Sequence, residues 1–293
     1  IVCGFVLLSS LAYAGATLWL FRPDAALAGR TLFIKAQIDG EITEGEGYLI
    51  LPLKAESAVD TDTGDTVTLR GRLSAAVPDI QALKPYDRVE CTVSLSAFGD
   101  AASLRYSRAR GVYVSAEIKG QPTVVSSGEL PARAVFYRAR RAVGAALDAR
   151  IPGDAGALVK GVVLGGKQGL PEKISDDFRR AGLSHTLAVS GLHITLFSGA
   201  LMLLLTSLGL GRKPVYALCA ILPFAVAGVA GFTASAVRAA LMGGLYFAGK
   251  FIDEEADGLN SLGISLFILT AFSPFFAYDA GLMLSTLATL GLI

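Results

Sequence analysis

The spacing of apolar and polar positions changes character along this chain, and each change predicts a different kind of element. Ile1 to Phe21 carries no charge and is mostly apolar, a length of about 20 residues that suffices for a helix to cross a bilayer. Trp19 and Arg22-Pro23 close the run as an interfacial belt does, so residues 1–22 are expected to form a transmembrane helix. From Thr31 to about Val125 the period is two. Thr31–Ile38, Gly47–Leu53, Thr66–Leu73, Arg88–Phe98 and Gly111–Lys119 alternate, are rich in Val, Ile, Thr and Leu, and are separated by Gly, Asp and Pro, the pattern of half-buried strands. In one of them Val67, Leu69, Gly71 and Leu73 share a face opposite Thr68, Arg70 and Arg72. Short strands this closely spaced suit a small barrel of the OB type, with a small β-sandwich as the competing arrangement. Residues 30–127 are therefore expected to be an OB-like β-barrel domain.

Beyond Pro131 the period lengthens to that of a helix. Between Pro131 and Ile151, Val135, Phe136, Ala139, Val143, Ala146 and Leu147 fall on one arc and Arg138, Arg141 and Asp148 on the other. Such a basic amphipathic helix suits the membrane interface. A Gly-rich stretch, Gly161 to Gly169, precedes a second helix from Pro171 to Ala181, opened by its proline. Residues 129–182 are thus expected to be basic amphipathic interfacial helices. Apolar runs follow at Leu183–Leu210, Val215–Gly231, Ser235–Ile252, Leu259–Phe276 and from Gly281 onward, so 183–293 is expected to be a polytopic membrane domain. The fold class this implies is a membrane α-helical bundle plus an all-β OB-like soluble domain.

Counting spans gives a topology without fixing which side is which. Consecutive spans alternate in direction, so the starts of the first, third and fifth core spans share one membrane face. His185, Arg238 and Asp279 sit at or near those starts, and the β-domain and basic helices precede the first span with no crossing between. Arg212-Lys213 in a short loop on the opposite face marks that face as cytoplasmic, while the basic 129–182 segment argues the reverse. Short loops are the better topogenic signal, so the OB-like domain is expected to be extracytoplasmic, on a bacterial cytoplasmic (inner) membrane.

Composition agrees with this division. Of 293 residues, 53% are hydrophobic and the mean hydropathy is +0.54, an excess concentrated in the first twenty-odd residues and after Leu183. Both ends read as cut, since the chain starts at Ile1 and stops at Ile293 inside an apolar run, and further spans are expected on either side. A net charge of +1 predicts no partner by itself. Acids slightly exceed bases from Arg30 to Gly128, and bases exceed acids from Glu129 to Gly182, led by Arg133, Arg138, Arg140, Arg141, Arg179 and Arg180. Cys3, Cys91 and Cys219 lie in different segments, which excludes a disulfide inside the β-domain.

The segment Phe178 to His193 holds both histidines of the chain. On a continuous helix His185, Thr186, Ser190 and His193 fall within roughly 140° of arc, and a polar stripe on a membrane helix faces protein or water. Interhelical hydrogen bonding is the plain reading of that stripe, against a pore lining, a metal site or a nucleophile. His185 and His193 lie roughly 12 Å apart along a straight helix, too far for one zinc, so no metal is assigned. Ser190 and His193 are neighbours with no third group to orient the histidine and no nucleophile elbow, so no catalytic residue is assigned. Arg238 lies one turn into its span, where it either snorkels to the interface or pairs with a phosphate or with Asp279. In the β-domain, Arg105, Tyr106, Arg108 and Arg110 combine guanidinium groups with an aromatic, as single-strand binders do, or form a solvated basic loop. A Gly-Lys-Ser phosphate loop is missing from the sequence, and no cofactor is implied.

These residues carry a resemblance. Leu183-Ser-His-Thr-Leu-Ala-Val-Ser-Gly-Leu-His193 is similar to the signature that opens the membrane domain of the ComEC family of competence proteins. Ala234-Ser-Ala-Val-Arg-Ala-Ala-Leu-Met242 and Asp279 to Leu290 resemble two further blocks of that family, and Gly64–Leu73 with Tyr106–Val112 resembles its OB-like domain. Thr186 stands where a bulkier apolar residue is common, and Ala280-Gly281 replaces a Pro-Gly pattern. The resemblance implies a non-enzymatic channel component passing single-stranded DNA across the cytoplasmic membrane during natural transformation. It makes Ser184, His185, Ser190, Gly191, His193, Arg238, Asp279 and Ser285 channel or helix-contact candidates. The partners it implies are single-stranded DNA, membrane lipid, other competence-machinery proteins and possibly a second copy of the chain. A transporter of another solute, a membrane-embedded enzyme and a non-catalytic assembly subunit are the competing classes.

Overall fold

A strand in which apolar and polar residues alternate buries every second side chain, and β1 (Thr31–Ile38) forms on that pattern, burying Leu32, Ile34, Ala36 and Ile38. The computed structural model describes residues 24, 26–44, 48–78, 83–98, 107–108, 111–127, 134–166, 169–187 and 191–293; the helix expected at 1–22 lies outside them. The chain divides into two units, Ile1–Pro131 with Ser273–Asp279, and Ala132–Phe272 with Ala280–Ile293.

In the first unit the other long strands are β3 (Tyr48–Asp60), β5 (Arg72–Pro78), β6 (Asp87–Ser96) and β7 (Val112–Ser127), with β2 (Thr43–Glu44) and β4 (Thr66–Val67) as short additions to β3. β1 pairs with both β3 and β6, β6 with β7, β7 with β5, and β5 with β3, so the five long strands close into a ring. Every pairing in it is antiparallel except β5–β7, which is parallel. Closure leaves no long edge to recruit another strand. Inside it Leu32, Ile34, Ile38, Leu51, Leu53, Val93 and Val114 are almost fully buried, together with Ala75 and Ala116.

The strand expected over Thr66–Leu73 is broken in two. The buried Asp24 carboxylate accepts the backbone N–H groups of Arg70, at 3.0 Å, and Gly71, at 2.6 Å. Those donors are spent on a side chain and leave the ladder. A Cβ on Gly71 would come within 2.9 Å of the Tyr113 ring, so only glycine fits at this crossing. β3 and β7 run to 13 and 16 residues, longer than their alternation alone indicates. A 3-10 turn, Pro274–Tyr278, belongs to this unit, with Phe275 buried edge-on against Tyr113 at a centroid distance of 6.4 Å.

The second unit is helical: α1 (Ala134–Arg150), α2 (Asp154–Leu164), α3 (Glu172–Arg180), α4 (Gly191–Ser207), α5 (Arg212–Val229), α6 (Ala234–Phe251), α7 (Gly258–Phe272) and α8 (Ala280–Leu292). α2 occupies part of the stretch read as Gly-rich. Its Gly161 is a packing position, because a Cβ there would lie 3.0 Å from the Gly166 carbonyl and 3.4 Å from Leu187. The apolar run from Leu183 is likewise not one helix. Gly182 takes a positive φ of 72°, and Ser184–Leu187 is a 3-10 turn, so the described part of α4, Gly191–Ser207, does not run on as one α-helix from Leu183. The single polar stripe drawn through His185 and His193 therefore does not exist.

Packing between α4, α5 and α6 uses small side chains. Ala227, Ala236, Ala239 and Ala240 are buried with Ile194, and Gly244 sits so close to Phe224 that a Cβ would meet its ring at 2.7 Å. Large apolar residues point outward instead, among them Leu192, Leu196, Leu203, Ile221, Phe272 and Leu287.

Candidate functional site

Among the candidate positions the structure brings two, Gly191 and Ser285, near Arg238. This residue is the fifth of α6, next in sequence to the buried Ala239. Only 4% of Arg238 is exposed, so the guanidinium lies inside the bundle and does not snorkel. Its Nη1 donates to Thr289 Oγ1 on α8 and lies 3.5 Å from Met242 Sδ, one turn along its own helix. Thr289 Oγ1 in turn donates to the Ser285 carbonyl at 2.9 Å. Gly191, the first residue of α4, faces the same group. A Cβ on it would lie 3.7 Å from Ala239 Cβ and 3.9 Å from Arg238 Nη2. Arg238 Nε is buried with no hydrogen-bond partner among the described residues.

Gly191, Arg238 and Ser285 are thus neighbours, while Thr289 and Met242 join them without having been singled out. Thr289 follows Ser285 by four positions and so shares its helix face, which is the signal the sequence offered. His193 is half-buried on α4. Ser184 and His185 are on the 3-10 turn Ser184–Leu187; Ser190 lies outside the described residues. Asp279 is half-buried at the end of the turn in the β-unit. Of the arginine-aromatic cluster, Arg105, Tyr106 and Arg110 lie outside the described residues. Arg108 places its guanidinium 5.8 Å from the Phe275 ring centroid, with Nε buried and unpartnered.

A second arginine, Arg140 on α1, was visible in the sequence only as one of several basic residues. Its Nη1 donates to the carbonyls of Leu164, at 2.6 Å, and Val229, at 3.0 Å, and its Nη2 to that of Gly165, at 2.7 Å. Leu164 ends α2 and Val229 ends α5. One guanidinium therefore satisfies carbonyls at two helix C-termini, the negative ends of their dipoles. In the β-unit, the backbone N–H of Asp62 and then the Arg30 guanidinium, each 3.0 Å away, hold the Asp60 carboxyl below its usual range against the opposing effect of burial. Burial pushes the Cys91 thiol up to about 11.

These features define a two-part protein, a closed β-ring and a helical unit with a small-residue interior around a buried cation. The family described as Competence protein matches residues 162–293, the stretch that holds Leu183–His193, Ala234–Met242 and Asp279–Leu290. It is 29% identical over 144 residues to ComE operon protein 3 of Bacillus subtilis (strain 168), an alignment covering 49% of this chain and 18% of that protein. The chain therefore spans less than a fifth of that relative. No solved structure matches.

Proposed function

We propose that this chain is a multi-pass membrane component of a bacterial DNA-uptake machine, passing single-stranded DNA across the cytoplasmic membrane without itself catalysing a reaction. The observation that carries the membrane part is the inverted packing of the helical unit within a competence-family domain. Leu192 is 76% exposed and Phe272 79%, whereas Ala236 and Ser265 are fully buried. In water such a surface aggregates; in lipid it is the stable arrangement, because helices there associate through small residues. Among the described residues one helix, Arg212–Val229, is long and apolar enough to cross a membrane, and Gly191–Ser207, Gly258–Phe272 and Ala280–Leu292 are shorter apolar helices. Tilting and local thinning accommodate short helices at modest cost.

The five-strand ring supports the DNA part. We read it as an OB-type barrel, a fold that binds oligonucleotides with its second and third strands and the loops after its first and fourth. The loop after the fourth long strand, between Ser96 and Val112, is the one that holds Arg105, Tyr106, Arg108 and Arg110. We place the barrel outside the cytoplasm because Arg212 and Lys213, which open α5, favour the cytoplasmic side for the opposite face. The test is uptake of labelled DNA and of small solutes by cells carrying the full-length parent. DNA uptake lost on replacing Arg105 and Arg110 by alanine, with solute uptake and protein level unchanged, supports the reading. Transport of a small solute with no DNA uptake refutes it.

A further inference from the structure

Helix α1 (Ala134–Arg150) is fastened to the helical unit by one side. Phe136 packs on Gly228, where a Cβ would meet its ring at 2.5 Å, and stands edge-on to Phe232 at a centroid distance of 5.3 Å. Arg140 donates to the Val229 carbonyl, and a Cβ on Gly144 would lie 3.7 Å from Leu164. At 100° per residue these three α1 positions fall within about 80° of arc. Gly228 and Val229 end α5, the described helix that is long and apolar enough to cross a membrane. On the membrane reading, on which this inference rests, the last turn of α5 meets a bilayer boundary and α1 lies at headgroup depth.

The opposite side of α1 is exposed. Val135, Ala142, Ala146 and Ala149 fall within about 60° of arc, bordered by Arg138 on one side and Arg150 on the other, with Arg141 beyond Arg138. The apolar arc expected from the sequence is thus divided, since Phe136 and Leu147 turn to the bundle while Val135, 60% exposed, and Ala146 turn away. All three arginines are exposed, and none makes an ion pair among the described residues. Arg30, Arg72, Arg88 and Arg179 are each matched to a carboxylate instead.

We propose that this face of α1 binds the anionic headgroups of membrane phospholipid, with Arg138, Arg141 and Arg150 on the phosphates and the strip of Val135, Ala142, Ala146 and Ala149 against the first acyl carbons. An apolar strip bordered by cations lies in the plane of the interface and is drawn to anionic lipid. A guanidinium matches the phosphate oxygens with its planar fork. A nucleic-acid strand would engage the arginines and leave the strip in water, whereas lipid engages both. The strip is mostly alanine, so its apolar area is small and charge supplies most of the attraction.

The test uses the full-length parent carrying Ala142→Trp in bilayers of phosphatidylcholine and phosphatidylglycerol. It reads quenching of the added tryptophan by a brominated form of each lipid, after subtracting the signal of the parent without that substitution. Phosphatidylglycerol is expected to be preferred at this position at least about tenfold, a preference that Arg138→Gln together with Arg150→Gln removes. Equal quenching by the two lipids, or a preference that survives both substitutions, overturns the anionic site and leaves the membrane reading standing. Quenching by neither lipid, in protein that alkaline carbonate does not extract, overturns it too; arginine-dependent binding of a labelled oligonucleotide would then make nucleic acid the occupant of this face. Extraction by carbonate overturns the membrane reading and the inference with it. Should the double variant fail to fold, the preference is measured in the Ala142→Trp protein from about 0.05 M to about 0.5 M salt, where screening is expected to weaken it several-fold. A preference that salt does not move overturns the proposal.

Discussion

Replacing Arg140 by alanine removes three hydrogen bonds from one charged donor to the carbonyls of Leu164, Gly165 and Val229. Hydrogen bonds from charged groups contribute about 1.5–3 kcal/mol each when buried, but Arg140 is only half-buried and water can reach part of what it leaves. A reasoned discount puts the net loss at about 3 kcal/mol, a large share of a domain's ~5–15 kcal/mol stability. For a unit of this size that corresponds to a fall in Tm of about 6–12 °C. Arg140→Lys keeps the charge but has a single nitrogen in place of the fork, so it is expected to recover less than half of the loss. The assay is thermal unfolding of the full chain in detergent, followed by circular dichroism at the helical band. A Tm for Arg140→Ala within about 2 °C of wild type would refute the view that this side chain holds the ends of α2 and α5.

Asp60 gives the β-unit a definite pH dependence. Because its folded pKa is lowered below 3.8, its contribution is present above the ordinary carboxylate range and is lost as pH falls through 3.8 towards the folded value. Unfolding monitored on the β-sheet signal is therefore expected to be flat above about pH 5 and to weaken below about pH 4. Asp60→Asn should be less stable at neutral pH and show a shallower acid slope; an identical slope excludes Asp60 as its source. Cys91, its thiol raised to about 11 and enclosed by the ring, should resist a maleimide at pH 8 in the folded protein and react once denatured. Rapid labelling under native conditions, read by mass spectrometry, would show that the ring is open.

What could be read from the sequence was what depends on neighbours in the chain. β1 was placed residue for residue, because its alternation is unbroken. α3 was placed to within a residue at each end by its opening proline. Features that depend on distant residues were not legible. The closure of the ring joins β1 to β6 and β5 to β7, pairings that no local pattern specifies. Asp24 interrupts a strand 46 residues away by taking the N–H of Arg70, and nothing in the alternation of Thr66–Leu73 records that theft of donors. Arg140 reaches Val229 across 89 residues, so it looked like one basic residue among several.

Arg238 shows how an apolar average hides the information that matters in a bilayer. Its segment, Ala234-Ser-Ala-Val-Arg-Ala-Ala-Leu, reads as a span with one charge near its end, for which snorkelling is the cheapest outcome. Hydropathy counts alanine and leucine alike as apolar, but only alanine lets two helices approach closely. The buried Ala236, Ala239 and Ala240 mark the face of α6 that packs with Ile194 and Ala227, and position 238 lies roughly 150° round the helix from it, where it meets Thr289 of α8. Thr289, 51 residues on, satisfies one of the arginine's nitrogens, and its Nε is buried with no hydrogen-bond partner among the described residues.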